Sequence, residues 1–540
     1  MADNTKAGFR WHGIAAFLLA TTFCTGAAPP ASAATLTYAG TAPPLTFDPH
    51  GTNDFATMAV FRQVYDSLVA LNANIEPVPG LAAAWEPQGD HTWRFHLRDG
   101  VLFHDGSKLS ADDVVFSVLR EKGSGFYSSL FGGITEARAV DPLTVDIVSK
   151  DPDPILPQKL ARMFVMSKAW SLVHDLQNIP NLGAQGAEAY SVRHANGTGP
   201  MMLESQEPGV RTVLRKFDHY WGKADGNLTE AVYLPIGTSA TRVAALLSGQ
   251  VDLITDLPLQ DVDRVKNTPG FAVHEVPQLL WMQLEMDGTR DVALNTWDKD
   301  GQPLKSNPFK DVRVRTAIAQ TVDAKLMVDR VLRGAGRVVG VYALPGTEGY
   351  VASQDTRWPT DPAHAKALLA EAGYPNGFVT QLNCPVERYA LAEDVCRATA
   401  SMLGRIGIEV RVNTMVWPEF ARMLVNGPSS SFHLIGVAST FGAQDVFVSE
   451  MMTRDPKSGE GFFNWALWHN DKLDAIAREL RVTFDQKRRD QLSYDGLEVG
   501  KDNVYAVTLY QPMLIWASKA NVNATLRADS TLLLQDASVK

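Results

Sequence analysis

The residues of this chain that are able to do chemistry do not assemble into a catalytic set. Its twelve histidines include no pair at metal-ligand spacing, and His96 and His104 fall on opposite arms of one expected hairpin. His104 lies in Phe103-His104-Asp105-Gly106, which reads as a corner between hairpin and helix in preference to a ligand or metal position. Gly197-Thr198-Gly199-Pro200 is glycine-rich, but no Lys-Ser/Thr and helix follow it, so it is not a phosphate loop. No Gly-x-Ser-x-Gly nucleophile elbow occurs. No cofactor, metal or catalytic residue is therefore expected. What the chain does offer is recognition chemistry. A guanidinium grips a carboxylate or phosphate through two parallel hydrogen bonds. Arg388, with Tyr389 beside it, stands between a strand over 379–382 and a helix from Ala392; the competing reading pairs it with Glu387 or Glu393. Trp281, Trp417, Phe441 and Trp465 supply large rigid area that suits a cleft wall or a core.

The elements that would carry these residues alternate between helix and strand. Phe61, Val64, Leu68 and Val69 share one face of an expected helix. Trp93 to Leu97 alternates as a half-buried strand, Asp99-Gly100 signals a tight turn, and Val101 to His104 is the expected return strand. Ser110 caps a helix with Asp113 at its third position and Val114, Val115 and Val118 inward. Ser239 to Leu247 reads as a helix stopped by Gly249, followed by a strand over 251–254. Asp361-Pro362 opens a helix that ends at Gly373, and Ile408 to Val412 reads as a strand after another helix. Alternation of this kind indicates α/β lobes. No flexible linker separates them.

The N-terminus carries a secretory signal. Lys6 and Arg10 precede an apolar run from Gly13 to Cys24, and Ala31-Ser32-Ala33 offers a cleavage site. The run is too short for a spanning helix, which needs about 20 residues. A lipid anchor at Cys24 fits less well after Thr21-Thr22-Phe23. With 540 residues, 45% apolar and 20% charged, the chain is long enough for two or more lobes. A net charge of −10 without a basic stripe argues against nucleic acid as a partner. Beyond the signal only Cys384 and Cys396 remain, either one disulfide or two buried thiols.

A series of segments, in order, resembles the family 5 solute-binding proteins of ABC importers, the peptide, opine and nickel-binding group. They are VYDSLVALN (64–72), PGLAAAWEP (79–87), TWRFHLRDGVLFHDG (92–106), LSADDVVFSVLR (109–120), GTGP (197–200) and YWG (220–222), then ALLSGQVDLITDLP (245–258), DVRVRTAI (311–318), LLAEAGYPNGF (368–378), RIGIEV (405–410) and TLYQP (508–512). The resemblance implies an α/β, two-lobed fold of the periplasmic-binding-protein type II kind, with an extra subdomain in lobe one. The expected layout is a signal over 1–33, lobe one over 34–283 with the subdomain near 71–194, lobe two over 284–511, and a return to lobe one over 512–540. It further implies a periplasmic, monomeric receptor that closes over a small organic solute or short peptide and presents it to a membrane ABC permease with its ATPase subunits.

The same resemblance places the Arg388–Tyr389 loop at the cleft, gives Trp281, Trp417 and Trp465 a share in its walls, and brings the early loop Phe47 to Asn53 toward it from lobe one. In many peptide-binding members an aspartate holds the peptide amine about where Thr440 stands here, followed by Phe441 and Gly442. A threonine does not neutralise an ammonium, and an unpaired charge in a closed cleft is costly. The expectation is thus a non-peptide solute with an anionic group on Arg388, a di- or oligopeptide receptor being the alternative and an exported hydrolase the rival of another class.

Overall fold

The computed structural model describes residues 33–72, 76–124, 127–180, 189–386, 388–425, 429–438, 441–455 and 459–540. All but the last residue of the expected signal, and Thr440, lie outside the described residues.

Lobe one is organised on the strand Ala34–Gly40, which runs parallel to both Leu228–Pro235 and Leu253–Ile254. The helix Ser239–Leu247 makes the crossover between those two, with Val243, Ala245 and Leu246 buried. Lobe two is organised on Val379–Val386, parallel to Glu409–Val416, with the helix Ala392–Gly404 as the crossover. Its other principal strand, Phe432–Ala438, lies antiparallel to Leu280–Met286. One long strand, Ala506–Lys519, joins the two lobes. Its first half pairs with Leu280–Met286 and Gly336–Val338, and its second half with Phe271–Pro277 and Leu253–Ile254.

A four-stranded antiparallel sheet forms the additional layer, in the order Ala82–Pro87, Thr92–Leu97, Thr144–Ser149, Ile134–Asp141. The helix Ala111–Lys122 covers it. Asp113 Oδ2 accepts from the backbone N–H and the hydroxyl of Ser110, which fixes the helix start. Val114 and Val118 are buried as expected, while Val115 is half-buried.

Two expected elements form differently. The return strand over Val101 to His104 does not pair with Thr92–Leu97, whose neighbours are Ala82–Pro87 and Thr144–Ser149. Asp105-Gly106 closes a second turn at once, with Phe103 N–H donating to the Ser107 carbonyl, so Val101 and Phe103 reach the core from a tight loop. The helix expected through Phe61 to Val69 stops at Phe61. Val64 still becomes core, because its carbonyl accepts from Gly199 N–H at 2.9 Å and Gln63 carbonyl accepts from Met201 N–H. This close approach requires glycine: a Cβ on Gly197 would stand 2.0 Å from the Val64 carbonyl oxygen. His104 braces the same corner through the Gly199 carbonyl at 3.0 Å, and burial lowers its pKa to about 4. It is a structural histidine.

Most of the early loop is likewise internal. Phe47, Asp48 and His50 are fully buried, and Asp48 receives both arms of Arg120. Glu121, next to that arginine, is fully buried; among the described residues neither carboxylate oxygen has a hydrogen-bond partner, His50 Nε2 standing 3.8 Å from Oε2, and burial raises its pKa well above the usual carboxylate range. An acid whose pKa rises on folding contributes stability below its unfolded value and loses that contribution as pH increases. Glu121→Gln is therefore expected to raise the melting temperature by roughly 2–4 °C at pH 8. The gain should shrink toward pH 5, as measured by differential scanning calorimetry across that range.

Candidate functional site

Between the lobes lies a cavity of about 810 Å³, within the size range of small-molecule sites. Lobe one contributes Asn53, Tyr127, the turn Asp151-Pro152-Asp153, Lys159 and Arg162; lobe two contributes Arg388, Tyr389, Trp417, Phe441, Trp465 and the stretch from Gln444 to Glu450. Asn53 alone of the loop from Phe47 to Asn53 reaches this space.

The strand Val379–Val386 and the helix Ala392–Gly404 position Arg388, and the disulfide between Cys384 and Cys396 ties the two together across the intervening loop. The Tyr389 ring fits against Gly436, where a Cβ would meet it at 2.7 Å. Trp417 begins the helix Trp417–Val425 and meets Tyr389 edge-on at 6.3 Å. The Arg388 guanidinium stands 4.9 Å over the Trp417 ring and 5.8 Å over that of Tyr389. Such stacking holds a guanidinium without consuming its hydrogen-bond donors. Arg388 is exposed to the cavity, and among the described residues no carboxylate pairs with it. Glu393 pairs instead with Arg397 at 2.5 Å.

The far aromatic wall is Phe462, Phe463 and Trp465, packed edge to face with ring centroids 4.9–5.9 Å apart. Phe462 and Phe463 are 44% and 41% exposed, which leaves apolar surface free to cover a ligand. Phe441 faces lobe one, with the Arg162 guanidinium 5.4 Å over its ring.

The sequence-based site is partly redrawn. Arg388, Tyr389, Trp417, Phe441, Trp465 and Asn53 come together around one cavity. Trp281 does not. It is 1% exposed, packed in the lobe-two core, and its indole N–H donates to Gln283 at 2.8 Å. Gly442 is also off the cavity; its positive φ and close approach to the Glu348 backbone make it a turn residue. The lobe-one wall from Ser149 to Arg162 was missed. Its signal was the Asp151-Pro152-Asp153-Pro154 run, since prolines right after a strand force a loop out of the sheet.

Carboxylates complete the site. Burial lifts the Asp445 pKa to about 6, with Arg162 and Lys159 pulling the other way. Burial, then Glu285 and Asp445, hold Glu450 well above the usual carboxylate range. Lys159 is itself paired with Asp153 at 2.6 Å, and Arg481 with Glu460 at 2.8 Å.

An interlobe cavity with an open guanidinium and aromatic walls is built to hold a solute. A family model of bacterial extracellular solute-binding proteins, family 5, middle region, matches residues 76–468. The chain belongs to that family. This solute-binding protein is 24% identical over 510 residues to the glutathione-binding protein GsiB of Salmonella paratyphi A, with 92% of each chain covered. It is 25% identical over 520 residues to the dipeptide-binding protein of Escherichia coli K12, covering 89% of this chain and 91% of that one. Among solved structures, HbpA2 from Haemophilus parasuis shares the fold with a TM-score of 0.79 at 23% identity, over 94% of this chain and all of its own. The protein is thus an extracytoplasmic solute-binding component of an ABC importer.

Because Trp417 and Trp465 line the cavity and Trp281 does not, ligand binding should change intrinsic fluorescence mainly through those two residues. In a titration followed by emission, the double substitution Trp417→Phe/Trp465→Phe is expected to lose most of the ligand-dependent change, and Trp281→Phe to keep it.

Proposed function

We propose that this receptor captures a carboxylate-bearing organic solute of roughly di- to tripeptide size, anchors the carboxylate on Arg388, and closes its lobes before handing the solute to the permease in the periplasm. The observation that carries this reading is the Arg388 guanidinium, stacked on Trp417 and open to an interlobe cavity of about 810 Å³. A closed cleft strips water from that charge, so a bidentate carboxylate is worth far more there than at a surface. The aromatic rings of Trp417, Phe462 and Trp465 would cover the apolar part of the same ligand. The protein acts as a monomeric carrier and not as a catalyst, so binding is stoichiometric and the solute leaves unchanged.

A short peptide is the favoured class within this reading. Relatives named for glutathione and for dipeptides support it, as does the cavity size. Isothermal titration against dipeptides, glutathione and simple organic acids tests the anchor directly. Arg388→Ala is expected to weaken the best of these ligands by about 10- to 100-fold, with the melting temperature of the free protein unchanged. Equal affinity in the two proteins would refute the anchor, and conversion of the solute into product would refute the carrier.

A further inference from the structure

The additional sheet of lobe one carries a large ring past the edge of its own core. Along Thr92–Leu97 the core face takes Trp93, Phe95 and Leu97. Phe95 is fully buried, whereas Trp93, near the start of the strand, is only half-buried against that core. Its indole N–H donates to the Asp153 carbonyl at 2.9 Å. Asp153 belongs to the lobe-one wall of the cavity and is paired with Lys159. Trp93 is therefore fixed to the wall that faces lobe two, without lining the cavity itself.

Phe484 comes from the other lobe. It stands in the short connection between the helices Asp471–Val482 and Gln486–Asp502. Asp485 caps the second helix by accepting from Arg488 N–H, and Arg489 donates to the carbonyls of Leu480 and Thr483, so the chain is held on both sides of the ring. Among the described residues, Phe484 joins neither hydrophobic core of lobe two. It meets Trp93 instead, with ring centroids 6.0 Å apart and planes inclined by 32°. Aromatic rings attract at this separation.

Rings on different bodies part when those bodies separate, so this contact exists only while the lobes are closed. A second ring contact crosses the cleft, Arg162 over Phe441, but both of its members line the cavity, where a bound solute can alter it. Neither Trp93 nor Phe484 lines the cavity, so their contact is made by protein atoms alone.

We propose that Trp93 and Phe484 form a clasp beside the cavity that holds a fraction of the empty receptor closed. An aromatic pair shifts an equilibrium by about 2- to 10-fold. Where the closed form is the minor one, apparent affinity scales with its population. The clasp thus sets how tightly the receptor holds any solute, without discriminating among solutes. It needs closure, but neither the Arg388 anchor nor a particular class of ligand.

The test uses protein freed of bound solute by unfolding and refolding. Spin labels at Asp90→Cys and Lys472→Cys, exposed positions of lobe one and lobe two, report the interlobe distance by double electron–electron resonance. Cys384 and Cys396, bonded to each other, take no label. The wild-type distribution is expected to contain a closed population. Trp93→Ala and Phe484→Ala should each lower the closed-to-open ratio about 2- to 10-fold, and the double variant no further than either alone. No closed population in the wild-type protein, a ratio unchanged by either substitution, or effects that add in the double variant would overturn the clasp. Phe484→Ala opens no hole in a lobe-two core, so it carries the test should Trp93→Ala fail to fold. No solute is present in the measurement, so its result stands apart from that of the Arg388 anchor.

Discussion

Backbone pairing along Ala506–Lys519 is the constraint on which the two-lobed arrangement depends. A strand cannot change sheets unless its hydrogen-bonding partners change with it, and this one does so over a single residue step. Pro512 pairs with Gly336, and Met513 with Pro277. Proline donates no N–H to a ladder, so it is tolerated where one set of partners ends and another begins. On one side of this point the strand is part of the lobe-two core through Val507, Leu509 and Tyr510; on the other it enters lobe one through Ile515, Trp516 and Ala517. The cavity lies where these two bodies face each other.

The recognition groups inherit their positions from that frame. Cys384 and Cys396 brace the strand and helix that flank Arg388, Gly436 leaves room for Tyr389, and Trp417 supports the guanidinium from below. Side chains held by packing lose little freedom when a ligand arrives, which leaves more of the contact energy for binding. Asp445 and Glu450, half-buried in the same lobe-two wall, have pKa values raised chiefly by desolvation, with Arg162 and Lys159 opposing the rise at Asp445. Closure then favours the ligand-bound state because the contacts it completes do not exist in the open one.

Much of the local structure was legible in the sequence. Asp361-Pro362 and Gly373 bracket a helix that forms over Pro362–Glu371, with Asp361 accepting from the N–H groups of Ala363 and His364. Ser239–Leu247 forms over the residues expected. Hydrophobic patterning failed where tertiary contacts took over, as at Val64, which is buried by a glycine-lined crossing and not by a helix face. It failed again at Trp281. The strand Leu280–Met286 runs between Phe432–Ala438 and Ala506–Lys519 and is buried on both faces from Trp281 onward, so nothing in its alternation tells an inward residue from one that faces a cleft. Trp417 was distinguishable only by family position. Gln444 and Glu450 carried no signal at all, since an acid or amide in a short helix reads as solvated until the opposing lobe is placed over it.

The central claim is that a solute sits between the lobes with its carboxylate on Arg388. A crystal structure of the protein grown with the solute it retains on purification tests this most directly. The account predicts ligand density in the cavity with a carboxylate oxygen about 2.7–2.9 Å from the Arg388 guanidinium, against the Trp417 ring. Density for the solute elsewhere on the molecule, or in the cavity with Arg388 facing solvent, would contradict it.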